Sequence, residues 1–310
     1  MAPYIGQRIA VLIPVAVLVF TVVFAVMHLL PGDPVQLMLA GAEAGVTTPE
    51  RIAQLRKAMG LDDPLYQQYA RFVWRAAQGD LGESIRFQSP VNQLVATAAM
   101  QTLLLSLTGM VAALVIGIPL GILAGLYENT WLDGCAMFFA LLGVSMPLFW
   151  LGLLLILLVA IHLQWLPAIS GGQLRGIVLP ALTLGFVSAG LLSRIMRASL
   201  IEVLHNDYIR TALAKGLSRH AMTVRHALKN ALIPVITIAG LQFGGMLSGA
   251  VITETVFSRP GLGSLVVKGI LWHDYPLIQG VVLLISVSYV MVNLIVDVLY
   301  AWIDPRIRYQ

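Results

Sequence analysis

Between Asn206 and Pro234 the chain carries its densest set of polar and basic side chains, including Asp207, Tyr208, Arg210, Thr211, Lys215, Arg219, Arg225 and Lys229. The chemistry open to these types is recognition rather than bond making. Tyr208, Thr211 and Ala212 share one helical face by i, i+3 and i+4 spacing. Small side chains at 211, 212 and 214 let another backbone come close, with Arg210 and Lys215 flanking that face. Gly216 is placed to take the left-handed conformation that ends a helix. Asn206 or Asp207 can cap the start, and Ser218 can cap the helix that follows. Two partners fit such a surface. One is a layer of anionic headgroups, each base contributing about 1 kcal/mol near it. The other is a protein cleft, and only this one has a use for a helix-stop glycine and a small-residue face.

Other chemistries find no residues. There is no G-x-x-x-x-G-K-[ST] phosphate loop. The six histidines, His28, His162, His205, His220, His226 and His273, show no H-E-x-x-H or clustered ligand spacing, so no metal site is expected. Neither a nucleophile elbow nor a pair of catalytic carboxylates is present, and no catalytic residue is assigned. Cys135 is the only cysteine; it lies in an apolar run, where packing is its expected role. The bases are not interleaved with aromatics, so the net charge of +4 is no nucleic-acid footprint.

The elements that must position the basic segment are apolar. Of 310 residues, 58% are hydrophobic and 11% charged, and mean hydropathy is +0.86. A soluble domain carries about 25% charged residues, so a bilayer is the expected solvent. Apolar runs at 9–30, 100–126, 134–163, 177–200, 231–253 and 277–302 predict an all-α polytopic protein with six transmembrane helices. They lack the alternation of a β-barrel. The first run is longer than the roughly 7–15 residues of a signal-peptide core, so a retained span is expected.

Residues 31–98 form an extracytoplasmic helical insertion. One helix starts at Thr48-Pro49-Glu50 and stops at Gly60; a second opens at Asp63-Pro64 and is broken by Gly79-Asp80-Leu81-Gly82. The insertion is too short for its own core and is expected to pack on the membrane part. Residues 201–230 form the loop at the opposite face. Lys and Arg concentrate at 194–229 and in the C-terminal tail, which predicts both termini inside. The loop at 127–133 holds Glu128 and Asp133 without a base and adds nothing to this orientation.

Polar residues within the spans are few. Ser145-Met146-Pro147 breaks the third, and Gln242, Gly244, Gly245 and Ser248 lie in the fifth. Ser145, Met146, Gln242 and Ser248 are candidates for a translocation path, with close helix packing through Gly and Ser as the alternative. Asp297, one turn from Asn293, is expected to pair with Arg194 or Arg197. Glu254, Pro260, Gly261 and Gly263 suggest a tight outer loop.

Asp207-Tyr-Ile-Arg-Thr-Ala-Leu-Ala-Lys-Gly216, followed by His226-Ala-Leu-Lys-Asn-Ala-Leu-Ile-Pro234, resembles the coupling loop of ABC importer permeases of the dipeptide/oligopeptide family. Other stretches agree in order and spacing. They are Pro31-Gly-Asp-Pro34, Tyr66-Gln-Gln-Tyr69, Gly79-Asp80-Leu81-Gly82, Ser145-Met-Pro147 with Trp150, Glu254-Thr-Val-Phe-Ser258, Pro260-Gly-Leu-Gly263, Asp274-Tyr-Pro276 and Asp304-Pro-Arg-Ile-Arg308. One departure is that Arg210, Thr211 and Ala212 stand where the wider superfamily has Glu-Ala-Ala.

The resemblance implies a single type I permease domain over 1–310 in a bacterial inner membrane, carrying peptides. It implies a second, homologous permease as heterodimer partner, two cytoplasmic ATPase subunits that hold the ATP and Mg, and an extracytoplasmic substrate-binding protein. This chain would bind no cofactor and hydrolyse nothing. Asp207, Tyr208, Arg210, Thr211, Ala212, Lys215 and Gly216 would form the ATPase contact, and the outer loop would close the path or meet the binding protein. The rival is a stand-alone secondary transporter of small polar solutes, which needs midplane acids or bases, and these spans are poor in them.

Overall fold

Runs of Leu, Val, Ile and Ala make the long helices, and Pro, Gly and short polar caps set where they stop. The computed structural model describes residues 14–25, 49–169 and 175–303. In order these give α1 (Pro14–Ala25), α2 (Pro49–Met59), α3 (Leu65–Ala77), an antiparallel pair β1 (Glu83–Ser84) and β2 (Ser89–Pro90), and α4 (Val91–Leu126). Then come α5 (Trp131–Ser145), α6 (Leu148–Leu155) with a π-helical extension Ile156–His162, α7 (Val178–Leu204), α8 (Asp207–Ala214) and α9 (Arg219–Met222). A π-helical turn, Thr223–Ala227, leads into α10 (Leu228–Val256), followed by α11 (Leu262–Leu271) and α12 (Tyr275–Ile303).

Four described helical segments are long and apolar enough to cross a membrane: Val91–Leu126, Arg175–Leu204, Arg219–Ser248 and Tyr275–Val296. The bent pair α5–α6 makes a fifth if it counts as one span. Of the expected first span, residues 9–30, the described part is the shorter apolar helix α1. The stop at 145–147 behaves as its residues require. Pro147 cannot donate to the ladder and disfavours helix at the residue before it. Met146 is accordingly extended (φ −80°, ψ 131°), and the two halves meet at 108°.

The described residues fall into two compact units. The first comprises 102–259 and the end of the chain from 291. Its centre is α7, which close backbone approach holds on two sides. A Cβ on Gly121 of α4 would lie 2.5 Å from the Ser193 carbonyl, and one on Gly117 2.9 Å from that of Ala189. On the other side a Cβ on Gly190 would lie 2.4 Å from the Ala140 carbonyl of α5. Only glycine lets helices meet this closely, and small interfaces of this kind substitute for the hydrophobic drive that a bilayer removes. Below them Met110, Leu192, Met196, Leu200, Ile209 and Val235 share one buried cluster.

The second unit comprises residues up to 101 together with 260–290. Here the insertion packs on α1, as expected: Phe20 meets Phe72 edge-on at 5.7 Å and Phe24 meets Tyr69 at 5.4 Å. Gly60, at φ +64°, ends α2. The α2–α3 corner is closed by Gln68 Nε2, which donates to the carbonyls of Leu61 and Asp63. Asp274 caps α12, accepting from Leu277 N at 3.3 Å, and also accepts from Ser84 Oγ and Arg86 N of the hairpin. The long helix begins at Val91, whose side chain packs with Leu277 and Val281, so residues 91–98 belong to α4.

Candidate coupling interface

The chain leaves α7 at His205 and turns into the eight-residue helix α8. Asn206 occupies the N-cap position with extended backbone, but its side chain makes no cap; its Nδ2 donates to the Glu202 carbonyl at 3.3 Å. Asp207 lies inside the first turn, where its charge faces the positive end of the helix. The C-terminal end closes as a Schellman motif. Gly216 N donates to Leu213 O at 2.9 Å and Leu217 N to Ala212 O at 3.3 Å. Gly216 stands at φ +86° with open space around its missing Cβ, so backbone conformation and not crowding requires glycine. Ser218 then caps α9, its Oγ accepting from Ala221 N at 3.3 Å.

The helix has two faces. Ile209 is 2% exposed and joins the cluster of Met196, Leu200 and Val235, with Ala212 packed against it. Asp207, Tyr208, Arg210, Thr211, Leu213, Ala214, Lys215 and Gly216 are exposed. The Tyr208 hydroxyl accepts from Asn230 Nδ2 at 2.8 Å, tying α8 to the start of α10. Ala212, expected on the partner-facing side, therefore turns toward the chain's own core. Leu213 is 38% exposed, an apolar residue that sequence reasoning did not single out. By i, i+4 spacing Leu213 would share the side of Ile209, so the sequence carries no signal that sets it in the open.

At the same end of the first unit, Arg197 of α7 grips Asp133 of α5 through two bonds, Nε to Oδ1 at 2.6 Å and Nη2 to Oδ2 at 2.7 Å. Asp133 also accepts from Asn129 N at 3.0 Å. Its side chain is 8% exposed and that of Arg197 27%. The expected partner of Arg197 was Asp297, whose side chain lies outside the described residues. The acid found is instead the one in the loop that carried no base.

The path candidates are spread out. Ser145 is exposed and Met146 half-buried at the break, while Ser248 is exposed on α10. Gln242 Nε2 donates to the Ser188 carbonyl at 3.2 Å, so its amide finds a partner on α7 of its own chain. An apolar cavity of about 400 Å³ beside α4, α10 and α12 is lined by residues such as Leu107, Phe243 and Val296 and by none of these four.

Glu254 is corrected most. It lies in the last turn of α10, fully buried, and accepts from Thr102 Oγ1 at 2.6 Å. Arg259 is 1% exposed; burial pulls its guanidinium below its ordinary value, and the Glu254 charge opposes this. Pro260 is exposed, Gly261 caps α11, and Gly261 and Gly263 are buried. Cys135 is exposed rather than packed. Among the described residues no group of three His, Cys, Asp or Glu could hold a metal ion.

Comparisons with known proteins identify the family. Residues 117–309 match the family model of the binding-protein-dependent transport system inner membrane component, and residues 1–91 match the N-terminal model of such membrane components. The glutathione transport system permease protein GsiC of Escherichia coli (strain K12) is 44% identical over 310 residues, covering 100% of both chains. Its counterpart in Salmonella paratyphi A is 43% identical over the same length. Among solved structures, an inward-facing form of the MetNI methionine ABC transporter aligns with a TM-score of 0.59 at 19% identity, covering 68% of this chain and 97% of that one. An amino acid ABC transporter aligns at 0.55 and 14% identity, covering 67% and 93%. Matched over its whole length, the chain belongs to the binding-protein-dependent transport system inner membrane components, the multi-pass permeases of bacterial ABC importers.

Proposed function

We propose that this chain forms half of the translocation pathway for small peptides, glutathione-like tripeptides among them, and that α8 is the surface an ATPase grips. The observation that carries the proposal is the two-faced α8: Ile209 fixes it to the chain's core while Arg210, Thr211, Leu213 and Lys215 stand in the open. The peptide class follows from the 44% identity to a glutathione permease. The chain then crosses the membrane six times, with α1 in the first span and α5–α6 as one broken span. Both termini and α8 face the cytoplasm, where Arg210, Lys215, Arg219, Arg225 and Lys229 cluster.

In this scheme a second, homologous permease completes the path, and an extracytoplasmic binding protein delivers substrate. Two ATPase subunits hold the ATP and Mg, and this chain hydrolyses nothing. An ATPase can drive the permease only by binding α8 with different free energy in its open and closed states, because equal binding would shift no equilibrium. Ser145, Met146 and Ser248 remain the path candidates, with Gln242 tethered to α7.

Photo-crosslinking from position 211 in native membranes tests this directly. The expected adduct is a protein with a phosphate-binding loop, identified by mass spectrometry. A lipid adduct alone, from a correctly inserted chain, would return α8 to a headgroup-binding role.

A further inference from the structure

The geometry assigns Asp133 and Arg197 a positioning role in transport: they bind α5 to α7 so that movement of α8 is carried to the helix break at 145–147. This rests on the reading of α8 as the ATPase contact. Three observations support it. The pair is bidentate and its carboxylate is nearly buried, with a third bond from Asn129 N. Such a pair holds orientation as well as distance, because the guanidinium and carboxylate planes must match. Arg197 lies on the same uninterrupted helix that ends at Leu204, immediately before α8. Finally, α5 meets α7 a second time near the break, where a Cβ on Gly143 would lie 2.7 Å from the Phe186 carbonyl.

Two attachments on one rigid helix leave α5 no freedom to slide or turn along α7. Packed helices behave as bodies with discrete arrangements rather than as deformable matter. A push on α8 therefore reaches Ser145 through α7 and α5 together. Without the ion pair α5 loses its polar tie at this end and keeps apolar contacts centred on Ala140 and Gly143, about which it can swing. The contact that transmits motion then becomes loose while the chain stays folded.

The test uses the whole importer, with both permeases, ATPases and binding protein, in proteoliposomes loaded with ATP. Asp133→Asn and Arg197→Gln are each expected to lower glutathione uptake about tenfold. Binding-protein-stimulated ATP hydrolysis should stay within about twofold of the parent, so that hydrolysis and uptake separate. A role in stability alone would lower both in proportion to the amount of assembled complex, and that result overturns the inference.

A second arm avoids dependence on how well single variants fold. On a Cys135→Ser background, Asp133→Cys with Arg197→Cys is joined by a short rigid bis-maleimide. Recovery of uptake on cross-linking supports one moving body; a block of uptake shows that α5 must move against α7 and overturns it. Arg197→Lys keeps the charge but not the bidentate geometry, so uptake per ATP equal to the parent's also overturns it. Crosslinking from position 211 in the parent complex tells the two failures apart: no ATPase adduct there defeats the reading of α8, whereas an adduct with uptake unchanged in the variants overturns only this inference.

Discussion

Helices α7 and α10 carry the chain into and out of the α8 segment, yet they are opposite kinds of helix. In its most apolar window α7 is 72% buried within the chain, whereas the corresponding window of Arg219–Ser248, which holds most of α10, is 33% buried. The difference lies in where their small residues point. Gly185 and Gly190 of α7 press on carbonyls of neighbouring helices, while Gly245 of α10 has nothing near it. Beside Gly245, Leu241, Ser248 and Ile252 form an exposed stripe. One helix is the internal frame, and the other presents a surface to something outside the chain. A short helix placed between the two is fixed on one side and open on the other.

The sharpest way to break this contrast is to add bulk to each glycine. Gly190→Leu drives its Cβ within 2.4 Å of the Ala140 carbonyl. Overpacking costs about 1–3 kcal/mol and more where backbone is the obstacle. The monodisperse fraction in detergent should collapse, while Gly245→Leu leaves it unchanged; equal behaviour of the two would erase the distinction.

Narrower in reach is Ile209→Ala, which removes the anchor of α8 from the core at about 2–5 kcal/mol. Hydrogen exchange at 207–214 should accelerate by orders of magnitude, with α7 amides unaffected. Gly216→Val forces a β-branched residue to φ +86°, a strain of about 1–2 kcal/mol. Limited proteolysis should then cut between 213 and 219 faster than in the parent. The smallest effect belongs to Tyr208→Phe, which loses the bond to Asn230, worth about 1 kcal/mol. Its signature is a modest rise in exchange confined to α8 and the first turn of α10.

What the sequence made legible was local. Gly60, Gly216 and Ser218 end or begin helices where expected, because capping depends on a few neighbouring residues. The break at Met146-Pro147 was equally readable, since proline acts on the residue beside it. Pairings over long separations were not. Asp133 and Arg197 lie 64 positions apart, and nothing in either neighbourhood points to the other. Glu254 read as a loop residue because polar side chains and a nearby Pro suggested an ending; Thr102, 152 positions away, keeps it buried in the helix. Asn206 had the residue type of a cap and the backbone of one, but its side chain found a carbonyl of the preceding turn. Ala212 was misjudged by a third of a turn, because the docked side of a short helix is set by the core beneath it.

The brevity of α8 has a consequence for how the importer holds together. Eight residues make a rod about 12 Å long. A contact of that length, with one face spent on its own core, falls well below the roughly 800 Å² per partner of a stable interface. On the proposed reading of α8 as the ATPase contact, a single permease chain should therefore hold an ATPase only fleetingly. With the proposed second permease, two such rods at a fixed separation would raise the effective concentration of the second contact once the first is made. Retention of the motor then becomes a property of the paired membrane subunits, and an unpaired permease chain would leave no motor running idle.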